Sequence, residues 1–160
     1  RTPSVTEFLY LVTIIFDFSS HFILVAICVA VLIYLFRGKR HTVLFVSAIS
    51  LGALLVYLMK IYFNVPRPDG GVMEVFGKSF PSGHATVATI FFIMLMYSFD
   101  KYLSGVKRNM FNLFCLLGIV TVSFSRIYLG VHWFSDVLFG VFLGSLVCYL
   151  VVYVSDHVRN

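Results

Sequence analysis

Charge is what this chain lacks. Only 12% of its 160 residues are Asp, Glu, Lys or Arg, while 60% are hydrophobic and 18% aromatic; an ordinary soluble domain carries about 25% charged residues. That balance excludes a water-soluble globule, and a mean hydropathy of +0.97 indicates an integral membrane protein. Cysteine is sparse as well. Cys28, Cys115 and Cys148 each lie inside an apolar run, their number is odd, and none has metal-ligand spacing. A disulfide framework and a zinc site are therefore set aside, and the three are expected to be small buried hydrophobes. Acidic residues number seven against twelve Lys and Arg, a net charge of +5. The basic residues sit in short clusters between apolar runs, which is a membrane-orientation pattern rather than a nucleic-acid surface. No charged n-region followed by a cleavage site is seen, so a signal peptide is not expected among these residues. The chain starts at Arg1 rather than Met, which leads to the expectation that a segment upstream has been removed.

Long apolar runs are what the chain has instead. Four polar breaks leave five of them, at about 20–36, 42–63, 82–99, 110–125 and 133–154. Each is near the length that crosses roughly 30 Å of hydrocarbon, about 17–25 residues per helix. Their length, and the need to satisfy every backbone group within lipid, make them helices. Ahead of them, Thr6, Tyr10, Thr13 and Asp17 recur on one helical stripe of 5–18, which predicts a helix lying in the membrane interface. The expected fold is all-α: a polytopic membrane bundle of five transmembrane helices plus an N-terminal interfacial helix, in a single domain over 1–160.

The breaks also orient the bundle. The basic turn at 37–41, the connection at 100–109 and Arg159 fall on one side if five spans alternate, and this side should be cytoplasmic. Lys60, Arg67, Lys78 and Arg126 fall on the other. Asp69, Glu74 and Lys78 in the outer loop read as solvated charges. Lys60 ends the second span, Pro81–His84 begin the third, Ser125 and Arg126 end the fourth, and His132–Asp136 begin the fifth. These distant groups therefore meet at the same, outer face.

An ionisable side chain at mid-membrane costs roughly 2.5–3.5 kcal/mol even on lenient scales, so such a gathering implies a site. Lys60, Arg67 and Arg126 form a cationic pocket suited to phosphate, with Arg supplying a bidentate fork and Lys a point charge. Ser82 reads as an N-cap, and Gly83 lets an anion approach the helix N-terminus. His132 and Asp136, four residues apart, share a helical face; a carboxylate on one imidazole nitrogen leaves the other free to attack. Gly140 and Gly144 form a G-x-x-x-G suited to close helix packing within the protein.

Lys60-x6-Arg67-Pro68, Pro81-Ser82-Gly83-His84 and Ser125-Arg126-x5-His132-x3-Asp136 together resemble the complete three-part signature of the type 2 phosphatidic acid phosphatases. This superfamily includes the lipid phosphate phosphatases and the soluble vanadium haloperoxidases. The resemblance implies that His132 is the nucleophile forming a phosphohistidine, that Asp136 orients it, and that His84 protonates the leaving oxygen. It further implies that Lys60, Arg67, Ser82, Gly83 and Arg126 hold the phosphoryl oxygens. Membrane members commonly have six spans where five are counted here, so the missing span is expected before Val5.

The expected activity is metal-independent and cofactor-free hydrolysis of a lipid phosphomonoester or pyrophosphate at the outer face of a bacterial inner (plasma) membrane. Undecaprenyl pyrophosphate, phosphatidic acid, phosphatidylglycerol phosphate and a lipid A phosphate all fit; no nucleic acid is expected as a partner. The competing reading is a non-catalytic lipid-phosphate binding or transport protein, which would use the same cations but has no need of the His132–Asp136 pair.

Overall fold

The computed structural model describes residues 2–16, 20–73 and 75–158. Asp17, Phe18, Glu74 and Arg159, which enter the sequence reading above, lie outside the described residues. The described residues form six helices and no strand: α1 (Pro3–Ile15), α2 (Ser20–Arg37), α3 (Lys39–Phe63), α4 (Gly83–Phe99), α5 (Gly105–Tyr128) and α6 (Phe134–His157). Helices α2 to α6 lie over the five apolar runs. Three of them, α3, α5 and α6, are long and apolar enough to cross a membrane; α2 and α4 are shorter apolar helices.

Two boundaries differ from the sequence expectation. The basic turn expected over 37–41 is a single-residue break at Gly38, whose φ of 79° is one that a side chain disfavours. Lys39, Arg40 and His41 already form the first turn of α3. Similarly, α5 begins at Gly105 rather than near Met110, so Lys107 and Arg108 belong to its first turn. In both places a helix continues past its apolar stretch, because Lys and Arg are good helix formers and can keep their charges at the membrane surface.

α4 is the central element. Ala85, Val87, Ala88, Ile90, Phe91, Phe92 and Met94 are all buried, as expected of a helix that is apolar all round. It packs against α3, α5 and α6, and each of these presents glycine to it. A Cβ on Gly52 of α3 would stand 2.2 Å from the Ile90 side chain, and one on Gly118 of α5 would stand 2.3 Å from the Phe92 ring. On α6 the approach is to backbone: a Cβ on Gly140 would lie 2.8 Å from the Ser82 carbonyl oxygen, and one on Gly144 2.7 Å from that of Thr86. The G-x-x-x-G thus packs α6 on α4 within the chain. The hydroxyls of Thr86 and Thr89, buried in this seam, donate to the carbonyls of Ser82 and Ala85 at 2.9 and 2.7 Å, so neither is left unsatisfied at depth.

The outward faces are apolar. Leu24, Ile27 and Val31 of α2, Leu113, Leu117 and Val120 of α5, and Leu138 and Phe142 of α6 are exposed, a surface that water would not tolerate and lipid would. Cys115 and Cys148 are buried as expected, but Cys28 is exposed, since it falls on the outward face of α2 and not on its packed one. The stripe predicted on the first helix is split in the same way. Tyr10 is exposed, whereas Thr13 is 2% exposed and turned inward, with α1 packed along α5.

Candidate active site

At one end of the bundle a cavity of about 440 Å³ is lined by Lys60, Arg67, Gly83, His84, Arg126 and His132, with Ala53, Val56 and Tyr57 of α3 as an apolar wall. Residues from α3, the following loop, α4, α5 and the α5–α6 turn thereby meet. Local bonds explain how. The Ser82 N–H at the start of α4 donates to the Asp136 carbonyl in the first turn of α6 at 3.1 Å, which joins the second and third polar blocks. The loop of residues 64–82 is tied to the α5–α6 turn by Val72 N–H to the Leu129 carbonyl at 2.9 Å and by the Trp133 indole to the Pro66 carbonyl at 3.1 Å.

Arg67 sits at the centre of this tie. Its Nε donates to the Gly77 carbonyl at 3.0 Å and one terminal nitrogen donates to the Val131 carbonyl at 2.8 Å. The same terminal nitrogen stands 3.2 Å from Nε2 of His132. A guanidinium can only donate, so Nε2 accepts there and carries a lone pair. The proton of the neutral ring therefore belongs on Nδ1, which faces Oδ2 of Asp136 at 3.4 Å. That carboxylate oxygen also accepts from the Trp133 N–H at 2.9 Å and from the Ser79 hydroxyl. Ser79 Oγ lies 3.4 Å from Nδ1 as well. His132 and Asp136 are 4% and 1% exposed. Burial lowers the His132 pKa from 6.5 to about 4; its hydrogen bond with Asp136 pulls the other way, and the charges of Arg67, Arg126 and Lys60 push it further down.

Lys60, one turn from the end of α3, donates from Nζ to the carbonyls of Lys78 and Ser79 at 2.6 and 3.2 Å. Arg126 is 1% exposed, and one of its terminal nitrogens donates to the Thr13 hydroxyl of α1. Ser82 caps α4, its Oγ accepting from the Ala85 N–H at 3.4 Å. It is fully buried and stands behind the cavity wall, not on it, and Asp136 likewise stands behind His132. The remaining six residues of the predicted set face the cavity.

Sequence reasoning missed Ser79 and Thr13. Ser79 immediately precedes Phe80 and the Pro81–His84 block, and that adjacency was its available signal. Thr13 was noticed only as part of a polar stripe, and its contact with a side chain 113 positions away has no signature in local spacing.

A match to the PAP2 superfamily covers residues 41–159. The chain is 27% identical over 145 residues to phosphatidylglycerophosphatase B of Bacillus subtilis (strain 168), covering 89% of this chain and 71% of that protein. It is 28% identical over 127 residues to dolichyldiphosphatase 1 of Homo sapiens, covering 72% of this chain but only 53% of that longer protein. Among solved structures, the transmembrane PAP2-type phosphatidylglycerolphosphate phosphatase from Bacillus subtilis superposes with a TM-score of 0.86 at 27% identity, over 98% of this chain and 79% of that one. The family match spans all three polar blocks, and the helical frame superposes on that of a membrane phosphatase: this chain belongs to the PAP2 superfamily.

Proposed function

We propose that the protein is a membrane phosphatase that removes the terminal phosphate from a lipid phosphomonoester or pyrophosphate through a phosphohistidine on His132. The observation that carries this reading is the placement of the His132 ring. Nδ1 faces Asp136, and the lone-pair nitrogen, Nε2, faces Arg67 in a cavity walled by cations. A transporter or a binding protein needs the cations but gains nothing from a buried, oriented imidazole.

In the proposed reaction Nε2 attacks phosphorus, and the bond from phosphorus to the leaving oxygen breaks. His84, in the first turn of α4, supplies the proton that the leaving oxygen takes up. The charge on the equatorial oxygens is met by Lys60, Arg67, Arg126 and the N-terminal amides of α4 at Gly83, which stabilise it by electrostatics that need no rearrangement. Asp136 stabilises the positive charge that the ring acquires. Water then attacks the phosphohistidine, giving its proton to His84, and inorganic phosphate leaves. Among the described residues no three His, Cys, Asp or Glu side chains are grouped to hold a metal ion, and this chemistry assigns the neutralising role to the three cations. The relatives named above, a phosphatidylglycerophosphatase and a dolichyldiphosphatase, bracket the proposed substrate class of lipid monophosphates and polyprenyl pyrophosphates.

The same proposal has α2 to α6 crossing the membrane and α1 lying in its interface. At about 1.5 Å per residue, α2 and α4 are about 26 Å long, near the roughly 30 Å of the hydrocarbon core. Arg37, Lys39, Arg40, Lys101, Lys107 and Arg108 cluster at the end remote from His132, and the positive-inside rule then supports an outward-facing catalytic end. Cysteine substituted into the 69–78 loop is expected to react with an impermeant maleimide on intact cells, and cysteine at Ser104 only after permeabilisation; the reverse would invert the orientation. The direct test of function is phosphate release by purified protein in detergent from a panel of phosphatidic acid, phosphatidylglycerol phosphate, a lipid A phosphate and polyprenyl pyrophosphates. Turnover of at least one is expected, and retention of all of them without release would favour the binding or transport reading.

A further inference from the structure

The end of the bundle away from His132 holds a second polar cavity, of about 480 Å³, which shares no lining residue with the catalytic one. Arg37 closes it from the end of α2, Arg40 and His41 from the start of α3, Lys101 from the α4–α5 connection, Asn112 from α5 and Asp156 from the end of α6. Its two carboxylates already have cations: Asp156 is paired with Arg40, and Asp100 lies 3.9 Å from Arg108. Among the described residues, no carboxylate comes within ion-pair distance of Arg37 or Lys101. Buried polar atoms accumulate here as well. Nε of Arg37, Nε of Arg40, Nδ1 of His41 and Oδ1 of Asn112 have no hydrogen-bond partner within the protein. Orphaned buried donors and acceptors of this kind are costly, and four at one cavity point to a ligand that carries both acceptors and a donor.

A third cavity, of about 400 Å³, adjoins this polar one and shares Ile93, Tyr97 and Asp156 with it. It runs along the seam of α4 and α6 over Met94, Cys148, Tyr149, Val152 and Tyr153, a mostly apolar track on which Tyr149 and Tyr153 are exposed. A free anion has no use for such a track, whereas an amphiphile fills both parts.

We propose that these joined cavities bind one anionic phospholipid. Its phosphate lies among Arg37, His41 and Lys101, a headgroup hydroxyl donates to Asn112, and one acyl chain lies along the α4–α6 seam. Basic pockets between helix ends suit such headgroups. A zwitterionic lipid offers the same phosphate but brings an ammonium beside Arg37 and Lys101, the two cations of the lining that no described carboxylate pairs. The site is independent of the catalytic reading and would stand if that reading failed.

The test is lipid retention by the purified full chain, read by native mass spectrometry after mixing with equal amounts of phosphatidylglycerol and phosphatidylcholine. Phosphatidylglycerol is expected to be retained preferentially, and the double variant Arg37→Gln/Lys101→Gln is expected to lose that preference by about tenfold or more. Arg67→Gln, in the catalytic cavity, is expected to leave it intact. Equal retention of the two lipids by the unsubstituted protein would overturn the proposal, a result that does not depend on the variants folding. So would loss of the preference on Arg67→Gln alone, since the lipid would then lie in the catalytic cavity. Complete displacement of the lipid by millimolar inorganic phosphate would also overturn it, because a free anion would then suffice.

Discussion

The Ser79 hydroxyl donates to Oδ2 of Asp136, the same oxygen that faces Nδ1 of His132. Ser79 is fully buried, and its hydroxyl bridges the loop of residues 64–82 and the first turn of α6. It therefore fixes the carboxylate that in turn fixes the imidazole. Because a hydrogen bond to a charged group contributes about 1.5–3 kcal/mol, Ser79→Ala is expected to lower kcat by about tenfold or more. KM should change little, since Ser79 does not face the cavity. Steady-state kinetics on a short-chain lipid phosphate check this, and a rise in KM at unchanged kcat would mean that Ser79 acts on binding.

His132 is expected to be indispensable. Removing the proposed nucleophile with His132→Ala should lower turnover on the order of a thousandfold or more, with the thermal midpoint nearly unchanged. Asp136→Asn should retain more activity, because the imidazole remains but loses the group that supports its tautomer and its positive charge. Rapid-quench trapping should give an acid-labile, base-stable phosphoenzyme in the unsubstituted protein and none in His132→Ala. Normal phosphate release from His132→Ala would end the phosphohistidine mechanism.

The pH profile tests the microenvironment of the same ring. Attack requires neutral His132, so activity falls as pH drops through its pKa, and kcat/KM reports the free enzyme. With burial holding that pKa at about 4, below the usual 6.5, His132 stays neutral across the mildly acidic range. The second ionisation of a phosphomonoester, near ~6, supplies at most one unit of slope in log kcat/KM. A second unit should appear only as pH approaches about 4. If the steeper slope sets in already near pH 6.5, the ring is not buried among cations as described.

How much of this was legible in the sequence follows from contrast. The five apolar helices α2 to α6 were readable because long apolar runs admit few alternatives to a helix, and the charged site residues stood out because charge is expensive there. Ser79 offered no such contrast: a serine in a polar loop looks like any other. Apart from the contact of Arg67 with His132, the partners of Lys60 and Arg67 are backbone carbonyls of residues 76–79 and 131, and carbonyls leave no trace in residue identity. Ser82 was readable as a cap, but its burial behind the cavity depends on the close approach of α4 and α6 at Gly140, a matter of three-dimensional packing. Lys39 and Lys107 were assigned to turns because charge marks a boundary of the hydrophobic run, not the end of the helix.

The pairing of Arg126 with Thr13 carries the last prediction. Arg126 is buried, and its bond to Thr13 makes α1 a support behind the cationic wall of the cavity, although α1 contributes no residue to the cavity itself. Thr13→Val keeps the volume and removes the hydroxyl, leaving Arg126 with one partner fewer and a less defined aim. Vanadate, which takes a five-coordinate geometry like that of the transferring phosphoryl group, would meet the same cations and His132 and is expected to inhibit. Thr13→Val should weaken that inhibition by about tenfold, the equivalent of a hydrogen bond to a charged group, and Thr13→Ser should restore it. Arg126→Lys should weaken both inhibition and turnover more severely, since a point charge cannot replace a bidentate fork. Activity should persist in excess chelator throughout, because three side-chain cations already supply the positive charge. Activity lost to chelator and regained with magnesium or zinc would show that these cations are not sufficient. Unchanged vanadate inhibition in Thr13→Val would show that Arg126 is held in place without α1.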